Sequence, residues 1–366
     1  MKVGILSMQR IKNYGSFLQA FALKSILEEL GADVEFVDYH PGETLIPSDG
    51  GMGIKRKIIK GVEAWKGSAP PSEKIRFINY KRNYAEKYYP YLGITDEMNY
   101  SPKLDVLVIG SDEVFNCVQN NTNVGFAPEL FGQESNAEKV ISYAASFGNT
   151  TFEKLKQYGV DLKVTGWLKS FDALSVRDEN SARIVEALTG NKPEINLDPV
   201  LMYDFITDRK TSKGVIEDNY ILLYGYSNRF TVEECKEIRK FANKRGLRIF
   251  CIGGVQNCCD RFIDTDPFTV ITYFQHAEYI VTDTFHGTIL STITHRPFAS
   301  IVRNAGYGNS EKLLDLLKRL RLESRIWNNL SELEDLLQEG QDYKETDYLL
   351  QRERIRTREY LRKWVC

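Results

Sequence analysis

The chain has 366 residues, of which 42% are hydrophobic and 27% charged, and its formal net charge is −2. That composition builds a buried core and excludes global disorder, while the near-neutral charge excludes a molecule-wide nucleic-acid footprint. At roughly 150 residues per domain the length predicts two domains.

The apolar part of the N-terminal run MKVGILSMQR is too short for a signal peptide and continues into domain structure. No stretch approaches the roughly 18 uninterrupted apolar residues of a transmembrane helix. Six cysteines in a chain of this length do not make a disulfide framework, and adjacent Cys258 and Cys259 suit no shared metal site. A reduced, cytoplasmic protein is expected.

In chain order, Lys2 to Leu6 (KVGIL) is a short apolar strand. Phe17, Ala20, Phe21, Leu23, Ile26, Leu27 and Leu30 then recur at three- and four-residue steps, a helix that Gly31 stops. Strands are expected in DVEFVDY from Asp33, LDVLVI from Leu104, KVISYAASFG from Lys139, DALSVRD from Asp172 and EINLDPV from Glu194. Strands alternating with helices predict a parallel sheet with right-handed crossovers. The polar, turn-rich stretch Asp208 to Asp218 reads as a linker. A second alternation follows, with strands in YILLYGY, LRIFCIGG, YIVTDT and PFASIV. Its helices lie near Thr231 to Lys244, Thr269 to His276, Gly287 to Thr294 and Glu311 to Leu320. The fold class is therefore α/β. Two Rossmann-like domains, 1–210 and 218–330, face a cleft at the carboxyl ends of their strands. A tail over 331–366 reads as helical throughout and is expected to pack back on the N-terminal domain.

Four polar clusters fall at predicted strand ends. In KNYGSFLQA, Asn13, Tyr14, Gly15 and Ser16 open a helix whose backbone N–H groups suit an anion or a sugar hydroxyl. Asn13 or Ser16 acting as a plain cap explains the same residues. In VIGSDEVFN, Gly110 permits a tight strand exit and Ser111 and Asp112 project into the cleft. Asp112 either accepts a proton from a substrate hydroxyl or caps the next helix. Arg177 in LSVRDENS presents a planar fork to a carboxylate or phosphate, or pairs with a neighbouring carboxylate. His286 in VTDTFHGT sits at a helix N-terminus, where the dipole disfavours the imidazolium and favours a bound anion. It either exchanges protons with a substrate or hydrogen-bonds in the core. Gly287 lets a ligand approach the backbone. The glycine-rich Gly306 to Ser310, with Arg303 and Lys312, forms an anion-binding nest or a plain loop. No histidine pair has a zinc spacing, and neither the dinucleotide fingerprint nor the P-loop motif is present.

Taken together, NYGSFLQAFAL, VIGSDEVFN, ISYAASFG, LSVRDENS, LDPVLM and VTDTFHGTILSTITHRPF, in this order, resemble the polysaccharide pyruvyl transferase family over most of the chain to about Lys312. Two places depart from the family pattern. Many relatives read Ser-Arg-Leu-His-Gly where this chain has Asp283-Thr284-Phe285-His286-Gly287. They often carry Gln, an aliphatic residue and Trp where it has Glu113-Val114-Phe115.

The resemblance implies a two-domain fold like that of B-type glycosyltransferases. It also implies transfer of a pyruvyl group from phosphoenolpyruvate to two hydroxyls of a sugar, forming a cyclic ketal and releasing phosphate. Such a reaction protonates the enol carbon, lets one sugar hydroxyl attack, expels phosphate and closes through the second hydroxyl, so it needs a group that gives and takes protons. By this resemblance His286 and Asp112 are the acid–base groups. Arg177, Arg303, Lys312, Ser310, Thr284, Gly287 and Thr288 surround the donor, with the C-terminal domain as donor side. Asn13, Tyr14, Ser16, Ser111 and Asn116 hold the acceptor on the N-terminal domain. Because Thr284 replaces the arginine, His286 works with cations from elsewhere, first of all Arg177. No metal or cofactor is required, since protein cations offset the donor charge, and magnesium stays open.

Basic residues with interleaved aromatics around Ile54 to Lys87 (Trp65, Phe77, Tyr80, Tyr84, Tyr88, Tyr89) and in the tail (Tyr360, Trp364) suit an anionic membrane face. A lipid-linked acceptor, of the undecaprenyl-diphosphate-linked kind, would make that useful. A solvated face over core aromatics explains the same pattern. No nucleic-acid motif accompanies the basic runs. Two alternatives stay open: a nucleotide-sugar-dependent glycosyltransferase of the same fold, and a non-catalytic glycan-binding member of a capsule-assembly complex.

Overall fold

Continuous apolar runs, rather than alternating ones, mark strands covered on both faces, and these build two parallel sheets. The computed structural model describes residues 1–46, 69–208, 210–211, 219–303 and 310–366. The first sheet contains β1 (Lys2–Leu6), β2 (Asp33–Phe36), β3 (Leu104–Asp112), β4 (Ala137–Ala145), β5 (Ser175–Val176) and β6 (Glu194–Ile195) in the order β2-β1-β3-β4-β5-β6. All its pairings are parallel. Around it lie α1 (Tyr14–Glu29), α2 (Pro71–Tyr88), α3 (Phe152–Gln157), α4 (Asp161–Lys169), α5 (Glu179–Thr189) and α6 (Pro199–Met202). The second sheet is also parallel, with β7 (Tyr220–Tyr224), β8 (Arg248–Ile252), β9 (Arg261–Phe262), β10 (Tyr279–Thr282) and β11 (Phe298–Ser300) in the order β11-β10-β7-β8-β9. Its helices are α7 (Val232–Arg245), α8 (Pro267–His276), α9 (Phe285–Ile293) and α10 (Ser310–Arg319).

Local chemistry sets the element ends. Asn13 caps α1 by accepting a hydrogen bond from the Ser16 amide, and Gly31 follows it at φ +91°, a conformation that glycine adopts freely. Thr231 and Glu234 form a reciprocal capping box at the start of α7.

One strand is not expected from the sequence, and one expectation needs correction. β9 is two residues long, too short to show a periodicity. The tail is not helical throughout. α11 (Leu333–Gln338) and α12 (Lys344–Val365) are separated by a break around Gly340. α11 packs on β11 and α7 of the second domain. α12 crosses to the first, where the Thr357 hydroxyl accepts from the Leu197 amide at 3.2 Å and the Tyr360 hydroxyl donates to Ser142 O at 2.8 Å.

The two domains share an aromatic seam. Phe268 of α8 meets Phe17 and Phe21 of α1 edge-on, with ring centroids 5.9 and 4.8 Å apart. Tyr80, Tyr84 and Tyr88 of α2 are buried around Tyr14, and the Tyr14 and Tyr88 hydroxyls both donate to Thr265 O across the seam, at 2.7 and 2.8 Å. These tyrosines, and Tyr360 in the tail, are therefore core residues and not an apolar face for a membrane. The basic stretch from Ile54 through Ser68, with Trp65, lies outside the described residues, as does most of the linker to Asp218. Among the described residues no helix is long and apolar enough to cross a membrane. All six cysteines are free thiols.

Because Tyr88 also donates to Thr265 O, Tyr14→Phe removes one of two bonds to that carbonyl. The expected cost is about 0.5–1.5 kcal/mol, read from the urea midpoint. An unchanged midpoint would mean that this bond does not help to tie the domains.

Candidate active site

A cleft of about 520 Å³ opens where the carboxyl ends of the two sheets meet. Asn13, Asp112 and Arg177 line it from the first domain, and Thr284, His286 and Lys312 from the second.

Arg177 leaves the short strand β5 directly into a buried position. Its NH1 donates to Asp198 Oδ2 at 2.8 Å and its NH2 to Asp112 Oδ1 at 3.2 Å. Its plane lies 4.4 Å from the centre of the Phe285 ring, a ring contributed by the other domain. Asp112 ends β3 in the left-handed region, at φ +69°, and takes a second hydrogen bond from the Ser16 hydroxyl at 2.9 Å. Burial pushes the Asp112 carboxyl up, but Arg177, His286 and Lys312 outweigh it and hold the group below the usual carboxylate range. A carboxylate held that way is a poor proton acceptor. Asp112 is placed as a charge partner of Arg177. Asp198 behaves similarly: burial raises it, while His286, Arg177 and the Val200 amide bring it down to about 2.

His286 opens α9, whose cap is Thr284. The Thr284 hydroxyl accepts from the Gly287 amide at 2.9 Å. The imidazole Nε2 is 3.6 Å from Asp198 Oδ2, longer than a hydrogen bond, so histidine and aspartate from different domains face each other as an electrostatic contact. The ring packs on Gly15 at the start of α1. A Cβ on that glycine would lie 2.4 Å from Nδ1, so this helix entry has to be glycine. Lys312 of α10 reaches across to the Glu113 carboxylate. Glu113 also accepts from the Asn116 amide at 2.7 Å, and Asn116 in turn accepts from the Thr150 hydroxyl at 3.1 Å. Glutamate at 113, where relatives often have glutamine, thus supplies the counter-charge for Lys312.

Other expected site residues are not brought to the cleft in that role. The Tyr14 hydroxyl is turned to Thr265 O in the seam. Ser111 is fully buried, donates to Ala144 O at 2.7 Å and lies 3.4 Å from Asp198 Oδ2. Thr288 is fully buried and pairs with Ser300 at 2.8 Å. Gly287 makes room for the protein itself: a Cβ there would meet Thr282 Oγ1 at 2.1 Å. The Arg303 guanidinium is held by Glu234 and, at 3.3 Å, by Asp283. Ser310 begins α10, but residues 304–309 of the glycine-rich stretch lie outside the described residues.

Four site residues escaped the sequence reading. Asp198 had a signal, an aspartate before proline at a helix start, the arrangement of a helix cap. Glu113 lay inside a quoted motif. Arg229 lines the cleft just past β7, paired with Asp283 at 2.7 Å, and Tyr226 lines it beside Arg229. Neither bore a motif. Among the described residues no group of three or more His, Cys, Asp or Glu side chains is placed to hold a metal ion.

The fold defines a two-domain α/β protein with two parallel sheets, a cleft where their carboxyl ends meet, and a helical C-terminus. The chain belongs to the polysaccharide pyruvyl transferase family, whose model matches residues 13–304. No curated protein matches it. Solved structures similar to it include the UDP-GlcNAc 2-epimerase of Methanocaldococcus jannaschii, with a TM-score of 0.48, 13% identity and coverage of 96% of this chain and 99% of that one. The UDP-N-acetylglucosamine 2-epimerase of Rickettsia bellii gives 0.47, 12% identity, and 98% and 97% coverage. UGT89C1 of Arabidopsis thaliana gives 0.47, 11% identity, and 100% and 99% coverage. Likenesses this distant carry no argument about what the chain binds.

Proposed function

We propose that this family member transfers the pyruvyl group of phosphoenolpyruvate to two hydroxyls of one sugar, closing a cyclic ketal and releasing phosphate. One observation carries the reading. Two buried nitrogens, Arg177 Nε and His286 Nε2, have no hydrogen-bond partner among the described residues, and both side chains converge on the same Asp198 oxygen. Buried polar nitrogens left unpaired are costly, and two of them converging in one cleft are what a ligand would complete. An anion bearing both carboxylate and phosphate suits Arg177, His286 and nearby Lys312. In this reading His286 delivers the proton to the enol carbon and takes one from an attacking hydroxyl. Arg177 holds the donor's negative charge, with no cofactor called for. The acceptor is carried on a lipid diphosphate, of the undecaprenyl kind, at the cytoplasmic face of the membrane.

Mass spectrometry of the protein incubated with phosphoenolpyruvate and a panel of free and lipid-diphosphate-linked sugars tests this. One acceptor is expected to gain a pyruvyl ketal. Stabilisation against heating by uridine-diphosphate sugars and not by phosphoenolpyruvate would instead make the protein a nucleotide-sugar enzyme.

A further inference from the structure

If an acceptor sugar enters this cleft, the five residues first assigned to it are already engaged. Asn13 caps α1, Tyr14 and Ser111 bond to main-chain carbonyls, Ser16 serves Asp112, and Asn116 is used at both ends of its amide. Recognition has to come from other groups. Tyr226 is 46% exposed although it lines the cleft. It leaves the sheet just past β7, whose end is paired with that of β10, Tyr224 against Thr282, so it emerges beside the turn that carries His286. Its ring is fixed from one side by the Arg229 guanidinium, 5.5 Å from the centroid and itself bonded to Asp283. Asn149 lines the same cleft from the first domain, its main-chain carbonyl held by the Lys154 ammonium at 2.6 Å. The Asn149 side-chain oxygen has no hydrogen-bond partner among the described residues.

An exposed aromatic ring sharing a cleft with an amide that has hydrogen-bonding capacity to spare is the chemistry that holds a pyranose: the ring takes the sugar's C–H face and the amide takes a hydroxyl. The lining also carries the carboxylates Asp112 and Glu113, and the cations Arg177, Arg229 and Lys312 are each paired with a carboxylate. With the donor anion also seated on Arg177 and Lys312, a sugar bearing its own negative charge meets repulsion here. We propose that Tyr226 is the stacking platform and Asn149 a hydroxyl-binding residue for the acceptor, and that the acceptor unit is an uncharged pyranose. The acceptor role and the exclusion of a charged sugar rest on the pyruvyl-transfer reading; the sugar site itself does not.

Saturation-transfer NMR of the full chain in the presence of phosphoenolpyruvate, with methyl β-galactoside, β-glucoside and α-mannoside, and with methyl glucuronide as the charged counterpart, tests it. At least one neutral glycoside is expected to bind and the glucuronide not to. Tyr226→Ala weakens that binding about tenfold, Tyr226→Phe keeps it within about twofold, and Asn149→Ala weakens it. Thermal melting with phosphoenolpyruvate, run on the same variants, is expected to show an unchanged donor effect. No neutral glycoside bound by the unmodified chain, preference for the glucuronide, or equal binding by Tyr226→Ala each overturns the proposal. Sugar binding that depends on Tyr226 without any effect of phosphoenolpyruvate upholds the sugar site and overturns the donor assignment instead.

Discussion

Arg177→Ala lowers stability by about 3–5 kcal/mol and removes donor binding in the same step. The side chain is buried against two buried carboxylates, Asp112 and Asp198. Without it both carboxylates stay in a dry site with less to offset their charge. Burial pushes both upward, and Arg177 is among the cations that hold them down, Asp198 at about 2. A carboxyl with a depressed folded-state pKa contributes stability above its unfolded pKa of about 3.9, and that contribution disappears as pH falls through the folded value. In the unmodified protein the Asp198 share is therefore lost between roughly pH 4 and pH 2. In Arg177→Ala both folded-state values rise, and the acid-side loss moves toward neutral pH. Urea melts over a pH series read both effects. Arg177→Lys keeps a charge but not the planar fork, so it falls between the two. A variant that melts like the unmodified protein at pH 7, with its acid limb unmoved, would show that these pairs do not carry the site. Phosphoenolpyruvate that still stabilises Arg177→Ala would remove Arg177 from the donor's partners.

The strands and the long helices were legible because their signals are local. β1 runs over Lys2–Leu6 as the apolar run indicated, and α1 stops at the glycine that marks its end. Arg177, Asp112, His286 and Lys312 were also legible, as polar residues at strand ends or beside a helix start. What the sequence could not supply was direction. Ser111 and Asp112 are adjacent in one motif, yet the first is buried against Ala144 O while the second reaches the cleft from a left-handed backbone conformation. Thr284 and Thr288 lie one turn apart on α9, and the second bonds inward to Ser300. Between two arginines of the second domain, the cleft took Arg229 and left Arg303 to Glu234. That choice depends on long-range packing around Asp283, which no local pattern records. Asp198 is the clearest case. Its meaning arises only where residues 177 and 286 arrive at the same oxygen.

That convergence makes His286→Gln the sharpest chemical test. Glutamine fills much of the same space and can still donate a hydrogen bond, but it does not shuttle a proton. On the proposed reaction, kcat falls by about 10²–10⁴-fold, while the thermal shift given by phosphoenolpyruvate is largely kept. Asp198 faces the imidazole across the domain boundary, so the ring's position matters as well as its chemistry. Gly15→Ala separates the two. It leaves His286 in the chain but places a methyl group 2.4 Å from where Nδ1 now sits, so the ring has to move. A misplaced catalytic group loses rate steeply. The expected result is a fall in kcat approaching that of His286→Gln, with Arg177 and the donor's thermal shift intact. If Gly15→Ala falls and His286→Gln does not, the α1 entry serves the ligand directly and the imidazole is only a packing partner. If both retain activity within a few fold, the proton passes through another group of the cleft.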